Sequence, residues 1–266
     1  HSGDKIGTGR PSANSLMGRV LNEILQECTG SIVYIKGGSV DNAIANECEA
    51  ELITDEYDKI AKLCNSVEKD LRQEYFGIDE NISVLVGLNG KVDKKVLDTD
   101  SQKRAITALC LAPQGVIARS GDDNKMVNTS LNLGIVKLTD DLKMGYSVRS
   151  VYESAKNGLT EKLRLLALML GGTAVCSGNY PAWQYEPESR VRELAGNVYR
   201  KLTGKEPVFK TIHAGLECGL FYNRMNKPDI VSYGPDIYDI HTFEERMDIA
   251  SAKRVYELTV ELLRNM

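Results

Sequence analysis

Hydrophobic and polar positions along this chain switch between two repeats, one near 3.6 residues and one of 2, and each switch marks an element boundary. After Ser12, which has helix-capping chemistry, Leu16, Val20, Leu21, Ile24 and Leu25 share one face and predict a helix over 13–28. Ser31 to Lys36 (SIVYIK) predicts a strand that ends at Gly37-Gly38. A second strand is expected over 46–53, where Ala50 and Leu52 alternate with Glu49 and Glu51. Asp55 is the expected cap of a helix running to Tyr75 on Tyr57, Ile60, Ala61, Cys64, Val67 and Leu71. Ile82 to Leu88 (ISVLVGL) reads as a further strand. A strand ahead of His1 would complete a split β-α-β unit of ferredoxin-like type, so the natural chain is expected to begin earlier.

The same grammar then returns. A helix over 101–112 is ended by Pro113, and a short strand follows at 116–118. Strands at 129–138 and 142–151 form a hairpin across Thr139-Asp140-Asp141. An amphipathic helix over 154–170 is stopped by Gly171-Gly172, and 173–177 reads as a strand. Two helix-strand-strand-helix-strand passages predict an internally duplicated sheet-and-helix layer. The turn cluster Gly178-Asn-Tyr-Pro-Ala-Trp183 marks the domain boundary, with the single tryptophan buried at the junction. Beyond it come a helix at 188–203, a strand carrying His213, a strand at 230–233, a loop carrying His241 and a helix at 249–264. These are too few strands to close a sheet, so residues 181–266 need a partner.

Composition narrows the class. With 266 residues, 42% hydrophobic and 26% charged, the chain has the make-up of a soluble globular protein. A net charge of -4 without a basic run leaves no footprint for nucleic acid or an anionic membrane surface. The longest apolar runs, such as Leu165 to Leu170, fall far short of a membrane span. The first residues are polar and Gly-rich, unlike a signal peptide. The chain opens on His1 rather than Met, so an upstream segment is expected to have been removed or left out. Six cysteines without a C-x-x-C pair argue against a disulfide framework or a structural zinc site. They are expected to be small buried apolar residues in a reducing compartment, the cytoplasm.

Candidate chemistry concentrates near the end. Thr211-Ile-His-Ala-Gly-Leu-Glu-Cys-Gly-Leu-Phe221 leads apolar residues into a Gly-rich bend, followed by Gly234-Pro235-Asp236 and by Asp239-Ile240-His241-Thr242. His241 reads either as a metal ligand oriented by Asp239 or as a solvated loop histidine. His213 and Cys218 read either as neighbours of a metal or as buried strand residues. Glu217, which looks buried, is either a metal-proximal carboxylate or a structural acceptor. Gly7-Thr-Gly9 lacks the third glycine and the preceding strand of a phosphate loop.

His213-Ala-Gly-Leu-Glu-Cys-Gly219, Gly234-Pro235 and Ile240-His-Thr-Phe-Glu-Glu245 resemble the aminoacyl-histidine dipeptidases, co-catalytic zinc peptidases whose clan includes the carnosinases. The resemblance extends in order through His1-Ser-Gly3, Asn42-Ala-Ile44, Thr129-Ser-Leu-Asn-Leu-Gly134, Val148-Arg-Ser150 and Gly178 to Trp183. It implies an α/β fold: a duplicated ferredoxin-like lid (α+β) over 1–180, then the C-terminal part of a catalytic α/β domain over 181–266. By resemblance His241 is a zinc ligand and His1 polarises the scissile carbonyl. Asn42 and Arg149 hold the dipeptide, Arg149 by its terminal carboxylate, and Gly215 offers a main-chain contact. Asn132 lies inside one of the matching runs and joins Glu217 as a secondary candidate. Two plainer readings stay open: Asn42 as a turn residue, and Arg149 paired with Asp140 or Glu153.

The departures define the rest. The family carries, upstream of its His-Ser-Gly motif, a His-x-Asp segment and acidic residues that supply most zinc ligands, the bridging carboxylate and the general base. None of these occurs here, and three histidines cannot replace them. The expected protein is therefore a cytoplasmic zinc dipeptidase seen without its N-terminal catalytic half, inactive alone and paired with a second copy through its lid. A non-catalytic assembly module and a carboxypeptidase or deacylase of the same clan are the alternatives. Ala45 stands where the family carries proline, which is expected to loosen the loop after Asn42.

Overall fold

In a computed structural model, all residues are described except 1, 91–92, 122–125, 184, 210–216 and 241–243. The described residues fall into two compact units, one up to Gly178 and one from Asn179 onward.

The first unit begins with α1 (Ser2–Lys5) and a 3-10 turn (Ile6–Thr8), then α2 (Ala13–Glu27), β1 (Ser31–Gly37), β2 (Cys48–Ile53) and α3 (Tyr57–Glu74). It continues with α4 (Thr99–Leu111), β3 (Gly115–Arg119), β4 (Val127–Leu138), β5 (Leu142–Ser150) and α5 (Glu153–Met169). The five strands make one antiparallel sheet built on β4. β5 runs along one edge of β4 from Thr129 to Leu138. The other edge is shared: β3 pairs with its first half up to Leu131, and β1 with its end from Val136.

Gly134 is an extra residue in that ladder, because Leu133 faces Tyr146 while Ile135 faces Gly145. Such a bulge reverses the side-chain parity of a strand. Here it keeps Leu133, Val136 and Leu138 on the same face. They join Leu21 of α2, Ile32 and Ile35 of β1, and Ala105, Ile106 and Leu109 of α4 in the main core. Each large side chain buried there contributes roughly 1.5–3 kcal/mol. Gly18 permits close packing of α2 on α4, since a Cβ on it would lie 2.8 Å from the Cβ of Leu109. A second core joins Val20 and Ile24 of α2 to Ile60, Cys64, Val67 and Leu71 of α3.

Two of the expected strands do not form. Residues 82–88 and 173–177 are not in a sheet. In the first, Ile82, Val84 and Val86 pack inward on the second core while Leu85 is 89% exposed. The main chain of this segment has one hydrogen bond, Val84 N to Glu68 Oε2 at 2.7 Å, and it forms no ladder among the described residues. Alternation reports which side is buried, not whether a neighbouring strand is present. Residues 173–177 are exposed throughout.

Asp55 does not cap α3. Glu56 holds that position, and its carboxylate instead accepts from the Thr29 N–H and hydroxyl. α4 starts at Thr99, two residues before the expected start, and Asp98 caps it by accepting from Asp100 N and Ser101 N at 3.0 Å. The Gly171-Gly172 stop is as expected, with Gly171 left-handed at φ 78° and Gly172 N donating to Ala167 O at 2.7 Å. All six cysteines are free, and Cys110 and Cys176 are exposed rather than buried.

The second unit holds α6 (Arg190–Thr203), α7 (Glu217–Arg224), β6 (Ile237–Tyr238), β7 (Arg246–Met247) and α8 (Ile249–Asn265). Ser189 caps α6, accepting from Arg192 N at 3.1 Å and donating to Asp229 Oδ1 at 2.6 Å. Ala195 and Val198 of α6 meet Leu262 of α8, and Val231 packs against them. The strand expected at 230–233 is absent; among the described residues the only sheet in this unit is β6 with β7. The predicted strand through His213 lies largely outside the described residues. Trp183 is half-buried rather than buried. Phe209, Phe221, Met247, Ile249 and Leu263 all remain at least half exposed. Among the described residues no helix is long and apolar enough to cross a membrane.

Candidate functional site

The site grows from the pairing of β4 with β5. Ser130 faces Arg149 and Asn132 faces Ser147, and directly opposed residues in an antiparallel ladder point to one side of the sheet. Four polar side chains therefore share the face opposite Leu133. Arg149 is half-buried, and its Nε donates to Ser147 Oγ at 3.2 Å. Its Nη1 is buried and makes no hydrogen bond. Burial lowers the guanidinium pKa, and the nearby Asp41 carboxylate acts the other way; an arginine stays protonated at neutral pH under either influence. The plainer pairings do not form, because Asp140 is held by Lys95 and Glu153 by Lys156, each at 2.9 Å.

Between β3 and β1, the free edge of β4 is closed by side-chain amides instead of a strand. Leu133 N donates to Gln114 Oε1 at 2.5 Å, and Leu133 O accepts from Asn14 Nδ2 at 3.0 Å. The loop from Gly38 lies against this gap. Gly38 takes φ 64°, where a side chain would be strained, and Gly134 has no Cβ to hold off the backbone of Val40 and Asp41.

Three successive carbonyls of that loop are then tied down. Asn132 Nδ2 donates to Asp41 O at 2.7 Å and to Ala43 O at 2.6 Å. Ser2, next to His1, donates to Asn42 O from both its N–H and its hydroxyl at 2.8 Å. Ala45 is buried, and its carbonyl accepts from Ala13 N at 2.9 Å, which ties down this end of the loop. The Asn42 side chain itself makes no hydrogen bond among the described residues. The result is a fixed backbone presenting an uncommitted amide, held by Asn132 on the sheet face that also carries Arg149 and its uncommitted N–H. Such a pair can take a carboxylate and a carbonyl oxygen.

The structure thus brings together Asn42, Asn132 and Arg149 of the expected residues. His1, His213, Gly215 and His241 lie outside the described residues. Glu217 belongs to the other unit and is neither buried nor in a strand: it is the exposed first residue of α7. Cys218, half-buried, follows it in the same helix. Asp239, expected to orient His241, is paired with Arg246. Among the described residues no group of three His, Cys, Asp or Glu side chains is placed to hold a metal ion, so they do not by themselves fit a zinc pair. Sequence reasoning missed Gln114 and Asn14. The one available signal was an asparagine among the apolar positions of the first long helix.

Three comparisons bear on this arrangement. Residues 1–78 match the model of a peptidase dimerisation domain. The whole chain is 33% identical to the cytosol non-specific dipeptidase of Escherichia coli strain K12, of which it covers 55%. It also matches the crystal structure of aminoacylhistidine dipeptidase from Vibrio alginolyticus with a TM-score of 0.89 and 32% identity, over all of this chain and 55% of that one. The chain therefore spans about half the length of these relatives. In sequence and in fold, the resemblance to the aminoacylhistidine dipeptidases extends over all of its 266 residues.

Proposed function

We propose that this chain is the substrate-clamping lid, residues 1–180, and the C-terminal catalytic segment, residues 181–266, of a cytoplasmic metallo-dipeptidase acting on dipeptides, Xaa-His among them. The observation that carries the reading is the half-buried Arg149 with an unpartnered Nη1, on the sheet face where Asn132 holds the loop that carries Asn42. A buried N–H left without an acceptor is costly unless a ligand completes it. A dipeptide's terminal carboxylate suits the planar fork, and Asn42 offers an N–H to a peptide carbonyl without a change of charge. His1, one residue from the Ser2 anchor, is the second carbonyl donor in this reading, and Gly215 adds a main-chain contact. Zinc belongs to the assembled enzyme, meaning this chain joined to the remainder that its relatives carry, with His241 as one ligand. The exposed apolar side chains of the second unit favour such a remainder. Metal analysis and dipeptide hydrolysis test it: the 266-residue chain is expected to hold less than one zinc per chain and to turn nothing over. The assembled enzyme is expected to do both. A dinuclear zinc site with turnover in the chain alone overturns the division of roles.

A second reading, self-association through the lid, is favoured by residues 81–90, ten positions without a charge from which Leu85 and Leu88 project exposed. Sedimentation at rising concentration is expected to show dimers that Leu85→Lys weakens at least tenfold. A chain that stays monomeric throughout contradicts it.

A further inference from the structure

We propose that Asn132 is a positioning residue, one that touches no substrate and sets where the Asn42 amide meets it. The identity of the substrate rests on the dipeptidase reading; the clamp rests on geometry alone.

Asn132 is 1% exposed, and its side-chain bonds are already made. Its amide nitrogen donates to Asp41 O and Ala43 O at 2.7 and 2.6 Å, and its Oδ1 accepts from Gln114 Nε2 at 3.2 Å. No N–H is left to offer a ligand, which sets aside a direct substrate contact by this residue. The orientation of the amide is fixed from outside. Gln114 accepts from Leu133 N through Oε1, so its nitrogen must face Asn132 Oδ1. Asn132 in turn must present nitrogen to the loop. The two carbonyls it holds flank Asn42, and Ser2 holds the carbonyl between them.

A residue fixed on both sides cannot shift its Cα without breaking one of these bonds. Its half-exposed side chain, bonded to nothing, is the part left to meet a ligand. Only asparagine serves at 132. Aspartate would set a carboxylate against two carbonyl oxygens, serine is too short to span both, and glutamine is longer by a methylene.

The test has two arms. In the assembled enzyme, Asn132→Asp and Asn132→Ser are each expected to lower kcat/KM for a dipeptide by about 10²-fold, the scale of a misplaced contact group. Combined with Asn42→Ala, either is expected to add less than about threefold to the loss from Asn42→Ala alone, because the clamp acts through Asn42. Losses that multiply overturn the proposal, since a general structural defect would not vanish with Asn42. In the 266-residue chain, amide hydrogen exchange at Ser2 and Ala13, whose N–H groups donate to Asn42 O and Ala45 O of the clamped loop, is expected to accelerate at least tenfold in Asn132→Ser, while Val136 to Leu138 of β4 keep their protection. Unchanged exchange at Ser2 and Ala13 overturns the clamp. If the wild-type assembled enzyme cleaves no dipeptide, the dipeptidase reading fails instead, and the exchange result alone decides the clamp.

Discussion

Arg149→Ala in the assembled enzyme is expected to cost about 10³-fold in kcat/KM for a dipeptide while leaving the fold as stable as before. Removing one partner of a desolvated charge pair costs about 2–5 kcal/mol, and each 1.4 kcal/mol is tenfold. The loss should fall mainly on KM if the carboxylate contact is made equally in ground and transition states. The stability half of the expectation comes from the free chain. There Arg149 is half-buried with an unpartnered Nη1 and a single bond to Ser147, so truncation removes a desolvation cost and little else. Arg149→Lys is expected to recover only part of the loss, because an ammonium gives a point charge and no fork. Steady-state kinetics and thermal melts on the two variants check this. A melting temperature that collapses with activity would make Arg149 a structural cation.

The second large effect concerns folding. Gly134→Ala is expected to destabilise the first unit by about 3 kcal/mol, because the new methyl meets backbone on the opposing loop rather than a mobile side-chain end. A Cβ there would lie 2.6 Å from both Asp41 Cα and Asp41 O, and closer still to Val40 O. Either β4 or the loop must move, and the loop carries Asn42, so clamping and stability should fall together. Gly158→Ala provides the control. It sits inside α5, where an added methyl would meet no atom within 4 Å, and is expected to stabilise by about 0.4–1 kcal/mol. Chemical denaturation of both variants gives the comparison; a harmless Gly134→Ala would mean the loop does not rest on β4.

Periodicity made most of the first unit legible. The predicted helices at 13–28 and 154–170 and the hairpin at 129–151 lie within a few residues of α2, α5 and the β4–β5 pair. Their signals are local: a stripe of apolar residues, a glycine pair, a turn. What stayed illegible is non-local. Nothing in ISVLVGL says whether another strand lies beside it, and nothing around Asn132 says that its amide reaches back across ninety residues of chain to Asp41 and Ala43. Arg149 and Asn42 came from resemblance, not from any pattern in the chain, and the same source singled out Asn132 without indicating its clamping role. Glu217 looked buried because its neighbours are apolar and small, yet it opens α7, where an acidic residue in the first turn suits the helix dipole.

The central claim is that Arg149 recognises a terminal carboxylate. The most direct test compares kcat/KM for one Xaa-His dipeptide with that for its C-terminal amide, in the wild-type assembled enzyme and in Arg149→Ala. The account predicts a preference for the free acid of about 10²-fold or more in the wild type that falls to near unity in the variant. An equal preference in both proteins would contradict it.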